Sequence, residues 1–313
     1  MPEKTDSFAG EVSGQGLSAY FLVGPTACGK TRVAHEIALL KGWSILSADS
    51  MLVYRDMDIG TAKPSGREMS EVDYYGIDIS CPDREFSVWH YRKHALKALD
   101  KIAAAGGKTI VAGGTGLYVK SLTDGLRDNG PANGSVRKWC QSLYKKGGVG
   151  ALQDILRLRA PDVYETIDDR ENPRRLIRAI EKWKSSNGAE ERTWLKPLYG
   201  AMESAPPVTV LSMSRELLAK RISRRVDMMF DAGLEDEVRR LRETHSQLSR
   251  TALQAIGYRE VMDLIDGRCS RTEAVESMNI RTRQLAKRQK TWFKHQSNAE
   301  WIEVDQNRSV RSI

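Results

Sequence analysis

Residues 24–31 read Gly-Pro-Thr-Ala-Cys-Gly-Lys-Thr, and every position fits the spacing Gly-x-x-x-x-Gly-Lys-Ser/Thr. Residues of these types at this spacing can hold a di- or triphosphate. Gly24 and Gly29 let the chain curl so that successive N–H groups, those of Ala27 and Cys28 among them, point inward. The following helix adds its positive end, Lys30 adds a mobile point charge, and Thr31 is placed to ligate Mg²⁺. Asp49-Ser50 is a second chemical pair, because it ends the apolar run Trp43 to Ala48. In an open parallel sheet, ligands collect at the carboxyl ends of strands. Asp49 is therefore a candidate base, with a turn-capping aspartate as the alternative. A third stretch, Gly113-Gly114-Thr115-Gly116, follows the run Lys108 to Ala112 and suggests close backbone approach to a ligand, although a plain tight turn also fits. Arg215 opposes the helix dipole in the first turn after the cap Ser214, which fits either an anionic ligand or a solvated surface arginine.

The elements that must position these residues follow from periodicity. Ala19–Val23 reads as a strand feeding the glycine loop, and Arg32–Leu40 as a helix with Val33, Ala34, Ile37, Ala38 and Leu40 on its apolar side. Residues 53–64 are too polar for a core and end at Pro64, so a binding loop is expected there. Tyr74–Ile79 suggests an edge strand, Ser87–Ile102 a helix and Lys108–Ala112 a central strand. From about Gly125 to Gly188 the pattern is helical without a convincing strand, and basic residues alternate with an apolar seam. This reads as a small helical unit inserted between strands of the core, with a longer crossover packed on the same core as the alternative. Val208–Leu211 resumes the sheet, and residues 215–243 form one long helix or two joined near Gly233, with Arg221, Arg224 and Arg225 as a basic cluster.

The last helix has two faces. At 100° per residue, Met278, Leu285, Gln289, Trp292 and Phe293 share one arc, while Arg281, Arg283, Lys287, Arg288, Lys290 and Lys294 occupy the rest. No acid interrupts residues 281–296. A phosphate backbone is the partner such a surface suits, and a merely solvated face is the alternative. Trp292 and Trp301 read as core residues.

These observations predict an α/β protein: a P-loop NTPase-like parallel sheet flanked by helices, with an inserted helical domain. The expected organisation is a loose tail over 1–16, a first core segment over 17–124, the insertion over 125–203, and core completion with basic helices over 204–313. The 313 residues are 40% hydrophobic and carry a formal charge of +8, so a substantial core and an anionic partner are both allowed. The four cysteines lack metal or disulfide spacing and fit a reducing cytoplasm. With no signal pattern and no apolar run near 18 residues, neither export nor membrane spanning is expected.

On residues alone, several activities compete. A nucleoside or metabolite kinase would use Asp49 on a hydroxyl, whereas a transferase would hold a diphosphate leaving group while another centre attacks carbon. A GTPase lacks its Asn-Lys-x-Asp base-reading motif here, and a plain nucleic-acid binder would leave the phosphate nest idle.

The assembled motifs resemble the tRNA dimethylallyltransferases, also called tRNA isopentenyltransferases. Gly24–Thr31, Asp49-Ser50 and Val53-Tyr54-Arg55-Asp56-Met57-Asp58-Ile59-Gly60-Thr61-Ala62-Lys63-Pro64 carry it first. Phe86-Ser87-Val88, Gly113–Tyr118, Asn172–Glu181, Arg224–Asp227, Ala255–Glu260 and Thr282–Trp292 extend it to most of the chain. The phosphate loop is generic, but Met57–Pro64 together with Ala286-Lys287-Arg288-Gln289 is specific. The resemblance implies transfer of a dimethylallyl group from its diphosphate to N6 of the adenosine 3′ of the anticodon, in tRNAs reading codons that begin with U.

By the same resemblance, Thr26 and Asp49 contact the adenine amine, with Asp49 as general base. Lys30 and Arg215 bind diphosphate with the loop residues Gly24, Thr26, Ala27, Cys28, Gly29 and Thr31. Contacts to tRNA fall on Asp49, Ser50, Gly113, Thr115, Gly116, Arg174, Arg178, Arg283, Lys287 and Arg288, and the insertion grips the anticodon arm. Mg²⁺ is the implied cofactor, and a monomer is expected. Leu52, where many members have Gln, and Tyr74-Tyr75-Gly76, where many have paired histidines, depart from the pattern. Cys28 is expected to fill space, because direct displacement needs no nucleophile from the protein.

Overall fold

Short, nearly continuous apolar runs such as Ala19–Val23 and Thr109–Gly113 build a sheet buried on both faces. The computed structural model describes residues 19–125, 134–185, 208–295 and 299–304. β1 (Ala19–Val23) feeds α1 (Lys30–Lys41), followed by β2 (Ser44–Ser47), α2 (Gly66–Glu71) and β3 (Tyr74–Tyr75). α3 (Val88–Ala104) leads to β4 (Thr109–Gly113) and α4 (Gly116–Thr123). After the helical unit of α5 (Gly134–Arg159), α6 (Pro161–Glu165) and α7 (Pro173–Ser185), the sheet resumes with β5 (Val208–Ser212). α8 (Arg215–Asp231), α9 (Leu234–Thr244), α10 (Tyr258–Ile265), α11 (Arg271–Lys294) and β6 (Ala299–Glu303) complete the chain.

The six strands form one sheet in the order β3-β2-β4-β1-β5-β6, and every pairing is parallel. Phe21, Val23, Leu46, Val111 and Val210 join the core packed against α3, α4, α8 and α9. Their neighbours Leu22, Ile45, Ile110 and Leu211 join the core that includes Val33, Ala34 and Ala38 of α1. The period of two assigns each side chain to one face, and the doubly covered sheet is what parallel strands require.

The chain divides into one compact unit of Met1–Gly125 with Gly200–Ile313 and a second of Leu126–Tyr199. The second unit has its own core, in which Leu152, Leu156, Leu176 and Ile180 are fully buried. α5 breaks at Gly148, whose φ is 63°, so the Gly147-Gly148 pair interrupts the helix as its composition suggests. Within this unit Arg137 forms a bidentate pair with the buried Glu181, at 2.7 and 3.0 Å. The expected 1–16 tail lies outside the described residues, as does most of the stretch over 125–135.

Several expectations change. Leu40 is 71% exposed, because α1 buries only a narrow stripe, while Val53, Tyr54 and Met57 of the supposedly polar loop are fully buried. α2 begins at a Ser65/Glu68 capping box, a Ser-x-x-Glu spacing too short and too common to announce a six-residue helix by itself. Of the two readings of residues 215–243, the pair of helices joined near Gly233 holds, with Gly233 at φ 93°. β6, with two glutamates in five residues, is an edge strand that apolar patterning does not show, and Trp301 on it is exposed rather than core. Arg281 leaves the solvent face of α11 and pairs with the buried Glu260 of α10.

Candidate active site

Because all strands are parallel, their carboxyl ends share one edge, and four consecutive strands deliver the site residues there. β2 ends before Asp49-Ser50, β4 in Gly113-Gly114-Thr115, β1 in the phosphate loop, and β5 just before Ser214 and Arg215. Close backbone approach explains the glycines. A Cβ on Gly113 would sit 2.2 Å from the Ala48 carbonyl oxygen, and one on Gly24 would sit 2.4 Å from that of Leu211.

The loops after β2 and β4 are tied together. The Ser50 amide donates to Thr115 Oγ1 at 3.0 Å, Thr115 Oγ1 donates to Ser50 Oγ at 3.2 Å, and the Thr115 amide donates to the Ala48 carbonyl at 3.1 Å. Asp49 Oδ1 accepts from the Met51 amide at 2.9 Å, which fixes the carboxylate in a short turn. Asp49 Oδ2 has no hydrogen-bond partner among the described residues. The turn-capping reading is thus met by one oxygen of Asp49, and the other faces no hydrogen-bond donor among the described residues.

The phosphate loop is held from three sides. Ala27 adopts φ 64°, and Gly29 at φ 94° precedes the first residue of α1. Lys30 is buried, with Nζ 3.4 Å from the Pro25 carbonyl, and Cys28 is buried as a space-filler. The Thr26 amide donates to Gln289 Oε1 at 2.8 Å, and Gln289 Nε2 donates to the Gly114 carbonyl at 3.0 Å. Arg221 of α8 reaches the loop from below, its Nη1 donating to the Cys28 carbonyl at 3.4 Å. Arg215 is exposed at the start of the same helix, with Ser214 capping it as expected.

The Met57–Pro64 loop turns out to be braced from within. The buried carboxylate of Glu237 on α9 accepts from the amides of Asp58, Ile59 and Gly60 at 2.9, 2.7 and 3.2 Å, and from Tyr258 Oη at 2.8 Å. Lys63 donates to the Tyr54 carbonyl at 3.0 Å, to Asp78 at 2.5 Å and to Asp58. The loop in turn holds Arg225, whose Nη2 donates to the Thr61 carbonyl at 3.0 Å. Burial pulls the Arg225 guanidinium down from its ordinary value, and the charge of nearby Asp49 opposes that pull. Burial also pushes the Tyr118 phenol well up, with Tyr54 and Asp49 adding to it. A cavity of about 400 Å³, lined in part by Ile59, Lys63, Pro64, Met69, Arg225 and Met228, opens beside this loop.

The remaining assigned positions are spread more widely. Gly116 starts α4 against the Trp292 ring, and Arg283, Lys287 and Arg288 are exposed on α11. In the helical unit, Arg174 is exposed, while Arg178 is half-buried with Nη1 3.3 Å from Glu181. Arg221 and Gln289 are the contacts that sequence reasoning left without a role. Arg221 stands in a basic cluster, and Gln289 on an apolar arc and at the end of the specific stretch Ala286-Lys287-Arg288-Gln289; helical phase and motif both mark a residue without naming its partner. No group of three or more His, Cys, Asp or Glu side chains among the described residues could cage a metal. Thr31, exposed in the first turn of α1 and without a hydrogen-bond partner among those residues, fits the sparse protein share of a Mg²⁺ site completed by phosphate oxygens and water.

A glycine-rich phosphate nest, an open carboxylate and a second glycine turn on the carboxyl edge of a covered parallel sheet define the P-loop class of α/β proteins. Comparison with known proteins narrows this class. The family model for IPP transferase matches residues 52–296. A tRNA dimethylallyltransferase of Acetivibrio thermocellus is 40% identical over 301 residues, with 93% of each chain covered. The full-length tRNA isopentenylpyrophosphate transferase structure from Bacillus halodurans is 34% identical, has a TM-score of 0.67, and covers 95% of this chain and 94% of its own. A eukaryotic dimethylallyltransferase acting on tRNA has a TM-score of 0.72 at 20% identity, covering 91% of this chain and 74% of its own; it shares the fold. The chain belongs to the IPP transferase family.

Proposed function

We propose that this chain transfers the dimethylallyl group of dimethylallyl diphosphate to N6 of the adenosine 3′ of the anticodon, in tRNAs reading codons that begin with U, and releases diphosphate. The observation that carries this reading is the open oxygen of Asp49 on the same sheet edge as the phosphate loop. Membership of the family supports it over a kinase.

An aryl amine is a weak nucleophile, so the burden falls on ionising the allylic C–O bond. The loop amides, Lys30, Arg221 and Arg215 stabilise the negative charge that builds on diphosphate. Thr31 would hold Mg²⁺ against the phosphate oxygens, and the ion when bound supplies further neutralisation of that charge. Asp49 Oδ2 accepts the N6 proton as the new C–N bond forms, while Oδ1 stays on the Met51 amide. The Thr26 hydroxyl orients the amine. An adenine in a single-stranded loop leaves its stack at little cost.

The helical unit and the basic face of α11 supply the tRNA grip in this reading. The reaction belongs to the cytoplasm and the working form is a monomer. The four free cysteines are at home in a reducing compartment, and no described helix is long and apolar enough to cross a membrane. The test is to follow diphosphate release from dimethylallyl diphosphate with unmodified tRNA and, separately, phosphate transfer from ATP to nucleosides. The proposal expects the first and not the second; robust kinase turnover without prenyl transfer would end it.

A further inference from the structure

Gln289 lies where α11 passes the phosphate loop, and its single amide group serves two of the site's loops at once. Oε1 takes the Thr26 amide at 2.8 Å, and Nε2 gives to the Gly114 carbonyl at 3.0 Å. The neighbouring backbone is shaped to this helix. A Cβ on Gly114 would stand 2.3 Å from Gln289 Nε2, and one on Gly116 would stand 2.2 Å from the Trp292 ring. The same helix exposes Arg283, Lys287, Arg288 and Lys290. One rigid element therefore carries a cationic outer surface and an amide hook into the reaction centre.

We infer that Gln289 is a positioning residue that couples RNA on the basic face of α11 to the state of the phosphate loop, through the Thr26 amide and the Gly114 carbonyl. The inference rests on the prenyl-transfer reading. Thr26 lies inside the phosphate loop, and fixing its amide fixes the curl of the nest at that point. Hydrogen bonds weaken steeply with length and angle, so a small displacement of α11 loosens both loops together. RNA that settles α11 in the position seen here prepares the diphosphate site. By linkage, diphosphate must then tighten RNA binding by the same factor.

The experiment measures the dissociation constant of an anticodon stem-loop RNA with and without saturating inorganic diphosphate and Mg²⁺. It compares the full chain with its Gln289→Met and Gln289→Glu variants. Met preserves length and removes both bonds; Glu keeps an acceptor for Thr26 and sets a carboxylate against the Gly114 carbonyl. In the parent, diphosphate should tighten RNA by ~5-fold or more, the lower end of ordinary coupling between sites. In both variants that ratio should fall towards one, while RNA affinity without diphosphate stays near the parent's because the cationic face is intact. Turnover should fall through kcat with KM for tRNA little changed.

An uncoupled parent, or a variant that retains the parent's ratio, would overturn the inference. If the variants do not fold, amide exchange on the parent decides. An RNA with an abasic site at the target position should slow exchange across residues 24–31, and unaltered exchange would overturn the inference equally. A parent that binds RNA but transfers no prenyl group would instead remove the functional reading beneath it.

Discussion

In the proposed reaction Asp49 divides its carboxylate between a structural and a chemical task, and substitution can separate the two. Asn retains an oxygen for the Met51 amide but cannot take a proton, so Asp49→Asn should fold and bind tRNA nearly normally. Its single-turnover prenyl-transfer rate should fall by ~10²–10⁴-fold, the usual share of a positioned general base. A rate within about threefold of the parent's would leave Asp49 as a turn cap only, and rescue by raised Mg²⁺ would mark it as metal-positioning instead. On the diphosphate side, Arg221 donates to a carbonyl of the phosphate loop, whereas Arg215 is exposed at the start of the same helix. Arg221→Ala should raise the dissociation constant of inorganic diphosphate by ~10–100-fold, as removal of one charge-assisted hydrogen bond implies. Calorimetry checks this, and an unchanged constant would confine Arg221 to holding the Cys28 carbonyl. Asp49 and the loop were legible in the sequence because a strand end and a fixed spacing mark them. Arg221 was not, since its partner is a backbone carbonyl 193 residues away in the chain.

At the scale of elements, the Met57–Pro64 loop shows how a polar stretch becomes part of the core. Its polar character suggested exposure, yet the amides of Asp58, Ile59 and Gly60 all turn onto one buried carboxylate. Glu237→Gln exchanges one acceptor oxygen for an NH₂ group. Turned toward Tyr258 Oη, which can accept from it, that group strands the Gly60 amide, whereas the opposite orientation would strand the amides of both Asp58 and Ile59. At roughly 1–3 kcal/mol for a buried unsatisfied donor, stability should drop by about 1–3 kcal/mol. A lowered urea midpoint at constant slope would report it, and an unmoved midpoint would mean that water replaces the missing acceptor. Helical phase correctly placed Met278 and Phe293 inside α11, yet it left Arg281 outside. Glu260, its partner, sits on another helix, and phase carries no record of neighbours. Replacing Arg283, Lys287 and Arg288 by Gln should flatten the log–log salt dependence of tRNA binding by about 2–3, at roughly 0.7–0.9 for each phosphate no longer neutralised. An equal slope would make that face merely solvated.

For the whole molecule, the strand-end rule did most of the work in advance: once β1, β2, β4 and β5 were read as parallel, their loops had to meet on one edge. The edge strands were harder to read. β3 stands at the edge where Tyr74–Ile79 suggested a strand but is only two residues long, and β6 has too few apolar side chains to announce itself. The helical unit carries its own core, so it can be removed as a piece. Rejoining the chain at about residues 125 and 203 should leave diphosphate binding measurable and abolish most tRNA affinity. A folded deletion with full tRNA affinity would return that role to the rest of the chain. The central claim is tested most directly by mass analysis of nucleosides from unmodified tRNA after incubation with the enzyme, dimethylallyl diphosphate and Mg²⁺. The account predicts one dimethylallyl group on N6 of the adenosine 3′ of the anticodon, confined to tRNAs that read codons beginning with U. An unmodified adenosine at that position under conditions where the enzyme binds both substrates would contradict it.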